Sequence, residues 1–318
     1  MEDTFVDLLQ SLTNDTEPMD RVRLAELSDL DTERLERFSA TWEHLSHEQR
    51  QALLKELGLI ADAQIELTFE AINRFALNDS EPTVRQQAIE NLWEGEAPGL
   101  ARRFVQILRD DPHHTVRGAA GKALGAFVFI AETRELDLSI QQEMEEALLH
   151  AADNDSSREV RDLCLRSLGF SSRPEVPNLV EKAFASVGES RIAAALCAMA
   201  RSANEAWGEN VLAHLHDGSP IIRLEAIRAA GEIGLSEGVP ELIELLEDED
   251  EPVRRASIWS LSQIGGMKAS EILNSLAETE LNEDEQETLQ DAIDNLVFAD
   301  GAHDIYSFDQ DDVQDPLA

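Results

Sequence analysis

Apolar residues recur along this chain at the three-to-four spacing of helices, in paired segments that return about every thirty residues. The clearest marker sits in the second segment of each pair: an apolar residue, an Arg, and a small residue three positions after the Arg. It reads Val84-Arg85…Ala88, Val116-Arg117…Ala120, Val160-Arg161…Cys164, Ile222-Arg223…Ala226 and Val253-Arg254…Ser257, with a worn copy at Arg191-Ile192…Ala195. The second positions fall at 85, 117, 161, 192, 223 and 254, giving steps of 32, 44, 31, 31 and 31. One helical hairpin cannot bury its apolar face alone, so this periodicity predicts hairpins stacked along one axis. The expected fold is all-α, a right-handed α-solenoid of about eight helical hairpins.

First helices are predicted near 63–77, 98–109, 140–152, 176–187, 207–216, 239–247 and 269–278. Second helices are predicted near 83–93, 115–126, 158–169, 190–200, 221–233, 252–264 and 284–297. Asp79, Asp111, Asp155, Asp217 and Asp248 each precede the Arg of their hairpin by six residues. There a carboxylate can accept bonds from free amides at the start of the second helix. Pro82, Pro220 and Pro252 stand at those starts, where a missing N–H costs nothing. Gly125, Gly169, Gly231, Gly234 and Gly265 fall near the ends of second helices, which predicts left-handed caps. The long step places an insertion within 128–139, after Phe127 and Phe129, read as a longer loop or an extra helical turn. Insertions in solenoids often mark a binding face.

Four regions follow from this pattern. Residues 1–30 form an irregular N-terminal segment with one short amphipathic helix on Phe5, Leu8, Leu9 and Leu12. Residues 31–62 form an N-terminal capping hairpin, residues 63–298 the solenoid, and residues 299–318 an acidic tail. The tail has no clear helical face and is expected to be disordered. Ile305, Tyr306 and Phe308 within it are a candidate docking motif.

Composition adds charge to the picture. Lys+Arg total 26 against 65 Asp+Glu in 318 residues, a net charge of −39, and Lys55, Lys122, Lys182 and Lys268 are the only lysines. Such a field repels phosphate backbones and argues against nucleic-acid binding. Two explanations of the charge stand open: solubility, including adaptation to a salty cytoplasm, and attraction of a basic partner. Mutual repulsion predicts a monomer. The two cysteines, Cys164 and Cys197, lie in small-residue helices and form no disulfide framework. The acidic start and the lack of an apolar run of roughly 18–20 residues predict a cytoplasmic protein without membrane contact.

The phrase Val253-Arg-Arg-Ala-Ser-Ile-Trp-Ser-Leu-Ser-Gln-Ile-Gly, preceded by Val239-Pro-Glu-Leu-Ile-Glu-Leu-Leu, resembles HEAT repeats. It is most similar to the short prokaryotic type found in phycocyanobilin-lyase-like proteins, over about residues 60–298. The resemblance implies that first helices form a convex face and second helices line a concave groove. It also implies that the recurrent Asp and Arg form a ladder of charge pairs between neighbouring hairpins, interrupted at Ile192. HEAT repeats serve mostly as interaction scaffolds, so the implied function is protein binding, with a bilin lyase or isomerase as the enzymatic alternative. An alkylated-base DNA glycosylase would need a strongly basic groove, which the net charge opposes.

Little in the chain points to catalysis. His214 and His216, two apart on a helix, point in different directions and cannot share a ligand site, and His113-His114 lies in a turn beside Asp110 and Asp111. HEAT-like deoxyhypusine hydroxylases hold iron between repeated His-Glu pairs, and here only His47-Glu48 matches. No Gly-rich phosphate loop or nucleophile elbow is present. Apolar surroundings make Cys164 and Cys197 poor nucleophiles. The expectation is a non-enzyme without metal or cofactor.

Aligning the second helices gives the candidate site. Five residues after the Arg position the column reads Glu90, Lys122, Arg166, Cys197, Arg228 and Trp259; one residue after, it reads Gln86, Gly118, Asp162, Ala193, Leu224 and Arg255. The i, i+4 relation sets both columns on one side of the helix, which the resemblance turns toward the groove. Lys122, Arg166, Arg228, Arg255 and Trp259 are the predicted partner-binding residues.

Overall fold

A computed structural model describes residues 2–14, 20–93, 95, 97–134, 136–279 and 281–308. Every regular element among them is a helix, as the repeat pattern predicts. The chain divides into two compact units, Met1–Leu168 and Gly169–Ala318.

In the first unit the second helices His47–Ala63, Pro82–Glu90, His114–Thr133 and Arg158–Leu168 pack each on the next. The first helices Glu70–Ala76, Pro98–Asp110 and Leu138–Asn154 lie against them as an outer layer. The segment assigned to the capping hairpin holds the helices Thr32–Trp42 and His47–Ala63, and Ser46 and Gln49 form a capping box at the second of them. Helix Glu2–Leu12 packs on Thr32–Trp42, burying Phe5, Leu8, Leu9 and Leu12, with the guanidinium groups of Arg34 and Arg37 5.0 and 5.6 Å from the Phe5 ring centre. These cations cover an aromatic face that would otherwise meet water at the end of the stack.

In the second unit the inner layer is Glu189–Arg201, Pro220–Ile233, Glu251–Ile264 and Glu283–Phe308, again packed in sequence. Val176–Phe184, Gly208–Leu212, Val239–Glu244 and Met267–Leu276 are the outer partners. The last helix buries Leu289, Ala292 and Leu296. Its backbone continues into the segment assigned to the acidic tail. Residues 309–318 of that tail lie outside the described residues, as do the side chains of the candidate motif Ile305, Tyr306 and Phe308.

The insertion at 128–139 is resolved as extra helix. His114–Thr133 has 20 residues where Pro220–Ile233 and Glu251–Ile264 have 14, and the following first helix, Leu138–Asn154, has 17. Asp137 caps that helix by accepting the Ser139 amide at 2.8 Å.

The five glycines near helix ends separate into two kinds. Gly234 and Gly265 have positive φ (81° and 69°), and Gly234 is a left-handed cap. Gly125, Gly169 and Gly231 are not in that region, which corrects the prediction for them. At Gly231 the reason is close approach: an added Cβ would lie 2.8 Å from the Ser260 Cα on the next inner helix. Small residues let the inner helices touch at backbone distance. Ser260 and Ser167 use that proximity to donate hydroxyl bonds to the carbonyls of Ile227 and Gly121, each at 2.8 Å.

The Asp–Arg ladder is present. Each ladder arginine is the fourth residue of its inner helix. Each reaches back to the carbonyl of the Asp six residues earlier, and Arg85, Arg117, Arg223 and Arg254 also reach outward to an acid of the following hairpin. Arg85 bonds both carboxylate oxygens of Asp111 (2.8 and 2.9 Å) and the Asp79 carbonyl (2.8 Å). Arg117 bonds Asp155 at the same distances, and the Asp111 carbonyl at 3.0 Å. Arg223 reaches Asp248 and Asp250 with one nitrogen, and Arg254 reaches Glu285. Each turn Asp also accepts an amide two residues on, as Asp79 does from Glu81 and Asp217 from Ser219. The fourth position of Glu189–Arg201 is Ile192, so no ladder arginine stands there.

Burial by itself would raise the Asp155 and Asp248 carboxyls. Bonds from Arg117 and Ser157 at Asp155, and from Asp250 and Arg223 at Asp248, outweigh it and hold both below the ordinary carboxylate value. A depressed carboxyl stabilises the fold above its unfolded value, about 3.9, and that stability is lost as pH falls through the folded value. Thermal melting followed by circular dichroism should therefore show full ladder stability above about pH 5 and a steep loss below about pH 4. Stability that kept rising to pH 3, as relief of acidic repulsion alone would give, contradicts this.

Candidate functional site

The candidates Lys122, Arg166, Arg228 and Trp259 are each the ninth residue of an inner helix, and Arg255 is the fifth residue of one. At the ninth position Glu90, Lys122, Arg228 and Trp259 are exposed, while Arg166 and Cys197 are half-buried. The fifth position does not share that surface throughout. Gly118, Asp162 and Ala193 are buried, and Gln86, Leu224 and Arg255 half-buried. The cause is close packing of the inner helices: a Cβ at Gly118 would come within 3.0 Å of Leu163.

In the first unit Lys122 is exposed and makes no ion pair among the described residues. Arg166 occupies the same position on the next inner helix of that unit. In the second unit Arg228 keeps its guanidinium 3.8 Å from Glu225, with its side chain 53% exposed. Arg255 is engaged by its own chain, donating to the Thr288 hydroxyl at 2.9 Å and lying 3.9 Å from Asp284. Its charge is thus partly spent. Trp259 is 43% exposed.

Trp93 and Phe129 join these residues and were not among those predicted. With Trp259 they are the exposed Trp, Phe and Tyr side chains of the described residues, at 56%, 49% and 43%. Phe129 lies two turns along the helix from Lys122, and Trp93 lies just past the end of Pro82–Glu90. Phe129 lies on an inner helix of the first unit and Trp259 on one of the second, while Trp93 sits in the turn that follows an inner helix. The insertion created one of them, because it carries His114–Thr133 far enough to include Phe129. A large ring left in water is costly, and such rings with nearby cations characterise binding surfaces.

No metal-ligating cluster of His, Cys, Asp and Glu occurs among the described residues. His113 and His114 stack at 5.1 Å, His214 packs edge-on against Phe184, and His216 lies 3.9 Å from Glu244. Cys164 is fully buried beside Gly121, where an added Cβ would lie 2.6 Å from its sulfur. No helix among the described residues is long and apolar enough to cross a membrane.

Residues 208–294 match the family model for HEAT repeats. HEAT repeats are thus recognised in residues 208–294. The HEAT fold of the chain is shared with the phycocyanin lyase complex of CpcE and CpcF from Nostoc sp. PCC7120, at a TM-score of 0.51 and 16% identity over 73% of this chain and 95% of that one. YibA of Escherichia coli gives 0.45 and 16% over 80% and 97%. Human deoxyhypusine hydroxylase gives 0.34 and 19% over 93% and 97%. At these identities the likeness is one of fold. No curated protein matches the chain by sequence.

Proposed function

We propose that this HEAT-repeat chain is a non-catalytic scaffold that binds an extended or acidic segment of a protein partner on its inner-helix face. In the arrangement implied for the family, that face lines the concave groove. The observation that carries the reading is the distribution of exposed rings: Phe129 and Trp259 lie on inner helices, and Trp93 lies just past the end of one. Lys122, Arg166, Arg228, Arg255 and Trp259 are assigned to partner contact, with Arg255 the weakest contributor because Thr288 already holds it. That CpcE of the same fold is found in complex with CpcF is in keeping with such a role.

The test is copurification of the tagged chain from its own cells, with mass spectrometry of what is retained. Replacing Lys122, Arg166 and Arg228 by Gln and Trp259 by Ala should reduce recovery of the partner at least tenfold. A buried aromatic anchor alone contributes about 2 kcal/mol to such a contact. Melting should change little at Lys122 and Arg228, whose exposed charges contribute at most about 1 kcal/mol each. Recovery from the unaltered chain should also fall with added salt. Glu244→Lys on the outer helix Val239–Glu244 is the control; the neighbouring Glu241 is unsuitable because one of its carboxylate oxygens is buried. Unchanged recovery with the quadruple variant would refute the reading. A coloured chromophore retained in place of a protein would favour the bilin lyase or isomerase alternative.

A further inference from the structure

We infer, on the reading of the inner-helix face as a binding surface, that the first unit receives an amphipathic helix of a partner protein. The apolar stripe of that helix carries acidic residues along one flank and basic residues along the other. Between successive inner helices the chain returns through an outer one, so His47–Ala63, Pro82–Glu90 and His114–Thr133 run in one direction and end at a common edge. Their ninth residues are Lys55, Glu90 and Lys122, all exposed, and Arg166 holds that position on Arg158–Leu168. Lys55, like Lys122, makes no ion pair among the described residues, and the adjacent Glu56 is held by Arg21 at 2.7 Å. Three cations against Glu90 make this row positive.

Toward the helix ends the surface turns apolar. Leu59 and Phe129 are 42% and 49% exposed on the first and third of these helices, and Trp93, 56% exposed, lies just past the second. One turn further it turns acidic: exposed Asp62 follows Leu59 by three residues, and exposed Glu132 follows Phe129 by three. Beyond the helix ends Glu66 and Asp137 add two acids and Arg134 one base, and the C-terminal ends of the helix dipoles add negative potential. The order basic, apolar, acidic is thus the same on both helices. Lys55 and Asp62 are seven residues apart and Lys122 and Glu132 ten, about 10 and 15 Å along the axes. A helix with its side chains is about 10–12 Å wide and reaches all three rows. A strand turns only alternate side chains to one face and meets a single row. Packed helices lie about 8–10 Å apart, close to the rise of about 10.5 Å over seven helical residues. An apolar stripe repeating every seven residues therefore meets Leu59, Trp93 and Phe129 in turn. Charge complementarity sets the direction of the bound helix, acids toward the lysines and bases toward Asp62 and Glu132.

The test uses the full chain and fluorescein-labelled peptides of three heptads with leucine along one stripe, followed by anisotropy at about 0.15 M salt, where a screening length near 8 Å mutes remote acids. One peptide carries Glu on one flank and Lys on the other; two controls carry Glu on both flanks or Lys on both. The two-sign peptide should bind about tenfold tighter than either control. Leu59→Ser with Phe129→Ser should weaken it about tenfold. Lys55→Glu with Lys122→Glu should weaken it too, and should make the all-Lys peptide the tightest of the three. A chain with Arg228→Gln and Trp259→Ala should bind all three as the parent does, because those residues belong to the second unit. Parent-like binding by the double serine variant overturns the inference, as does equal affinity for the three peptides or undiminished binding of a two-sign peptide broken by a central Pro. Should the serine variant lose its helical signal, the reversed preference expected of Lys55→Glu with Lys122→Glu decides the matter. In copurification, a partner lost with the Lys122, Arg166, Arg228 and Trp259 variant but kept by a chain with Lys55→Gln and Leu59→Ser overturns the helix on the first unit and leaves the scaffold standing.

Discussion

Arg117→Ala is expected to destabilise the first unit by about 3 kcal/mol, the lower end of the range for breaking a buried ion pair from one side. The Arg117 and Asp155 side chains are only 13% and 9% exposed, and two parallel bonds join them. Removing the guanidinium leaves Asp155 charged and mostly buried, with the Ser157 amide among its remaining donors. It also frees the carbonyls of Asp111 and Pro112, which Arg117 satisfies at 3.0 and 3.3 Å. Arg117→Lys keeps the charge but cannot serve both neighbours, so it should recover roughly half of the loss. Arg109→Ala, at an exposed pair, should cost under about 1 kcal/mol. Because repeat stability is a sum of local terms, hydrogen exchange should loosen first in 98–133 and 138–168, leaving 220–264 protected. Equal loosening of both units, or no change in denaturant midpoint, contradicts a local load on this rung.

The ladder shows what could be read from the chain and what could not. Asp79, Asp111 and Arg85 announce their roles by spacing alone, because a turn of fixed length precedes every inner helix. Arg50 escaped notice, although it bonds Asp79 at 3.0 Å and the Trp42 carbonyl at 3.0 Å as a full member. It has Gln49 before it and Leu53 three residues after, so it fails the apolar-Arg-small phrase. It is nevertheless the fourth residue of His47–Ala63, the position shared by every other ladder arginine. Counting from the helix start would have found it, but helix starts are the least legible feature of a sequence.

Surface assignment was harder for a related reason. Periodicity ranks the faces of a helix without saying how closely its neighbour approaches. The fifth and ninth positions share a side, yet Gly118 and Ala193 are buried where Lys122 is exposed. Small residues on the inner helices set that approach. Trp93 and Phe129 were invisible as surface residues because an aromatic at helical spacing is ordinarily core. Only the extra length of His114–Thr133 and the early end of Pro82–Glu90 bring them out.

Gly231→Val tests the same close approach directly and should cost about 3 kcal/mol or more. Its Cβ would meet Ser260 at 2.7 Å from the hydroxyl oxygen and 2.8 Å from Cα. A hydroxyl can rotate away; a backbone atom on a packed helix cannot. Pro220–Ile233 and Glu251–Ile264 must therefore separate, stretching the 2.8 Å bond from Ser260 to the Ile227 carbonyl and opening a seam lined by Ala226, Ile227 and Ala230. Overpacking of this kind costs about 1–3 kcal/mol for added methyl groups, and the β-branch raises it further. Gly231→Ala sets two effects in opposition. Replacing glycine inside a helix gains about 1 kcal/mol of helix propensity, while the clash with Ser260 Cα remains, so a net loss of about 1–2 kcal/mol is expected. Gly99→Ala isolates the propensity gain, because nothing lies within 4 Å of the added Cβ; it should stabilise by up to about 1 kcal/mol. The decisive measurement is the sign of the change in urea midpoint for the two alanine variants. Stabilisation by both would mean that the inner helices are not in backbone contact at Gly231, and that the small-residue column reflects composition and not packing.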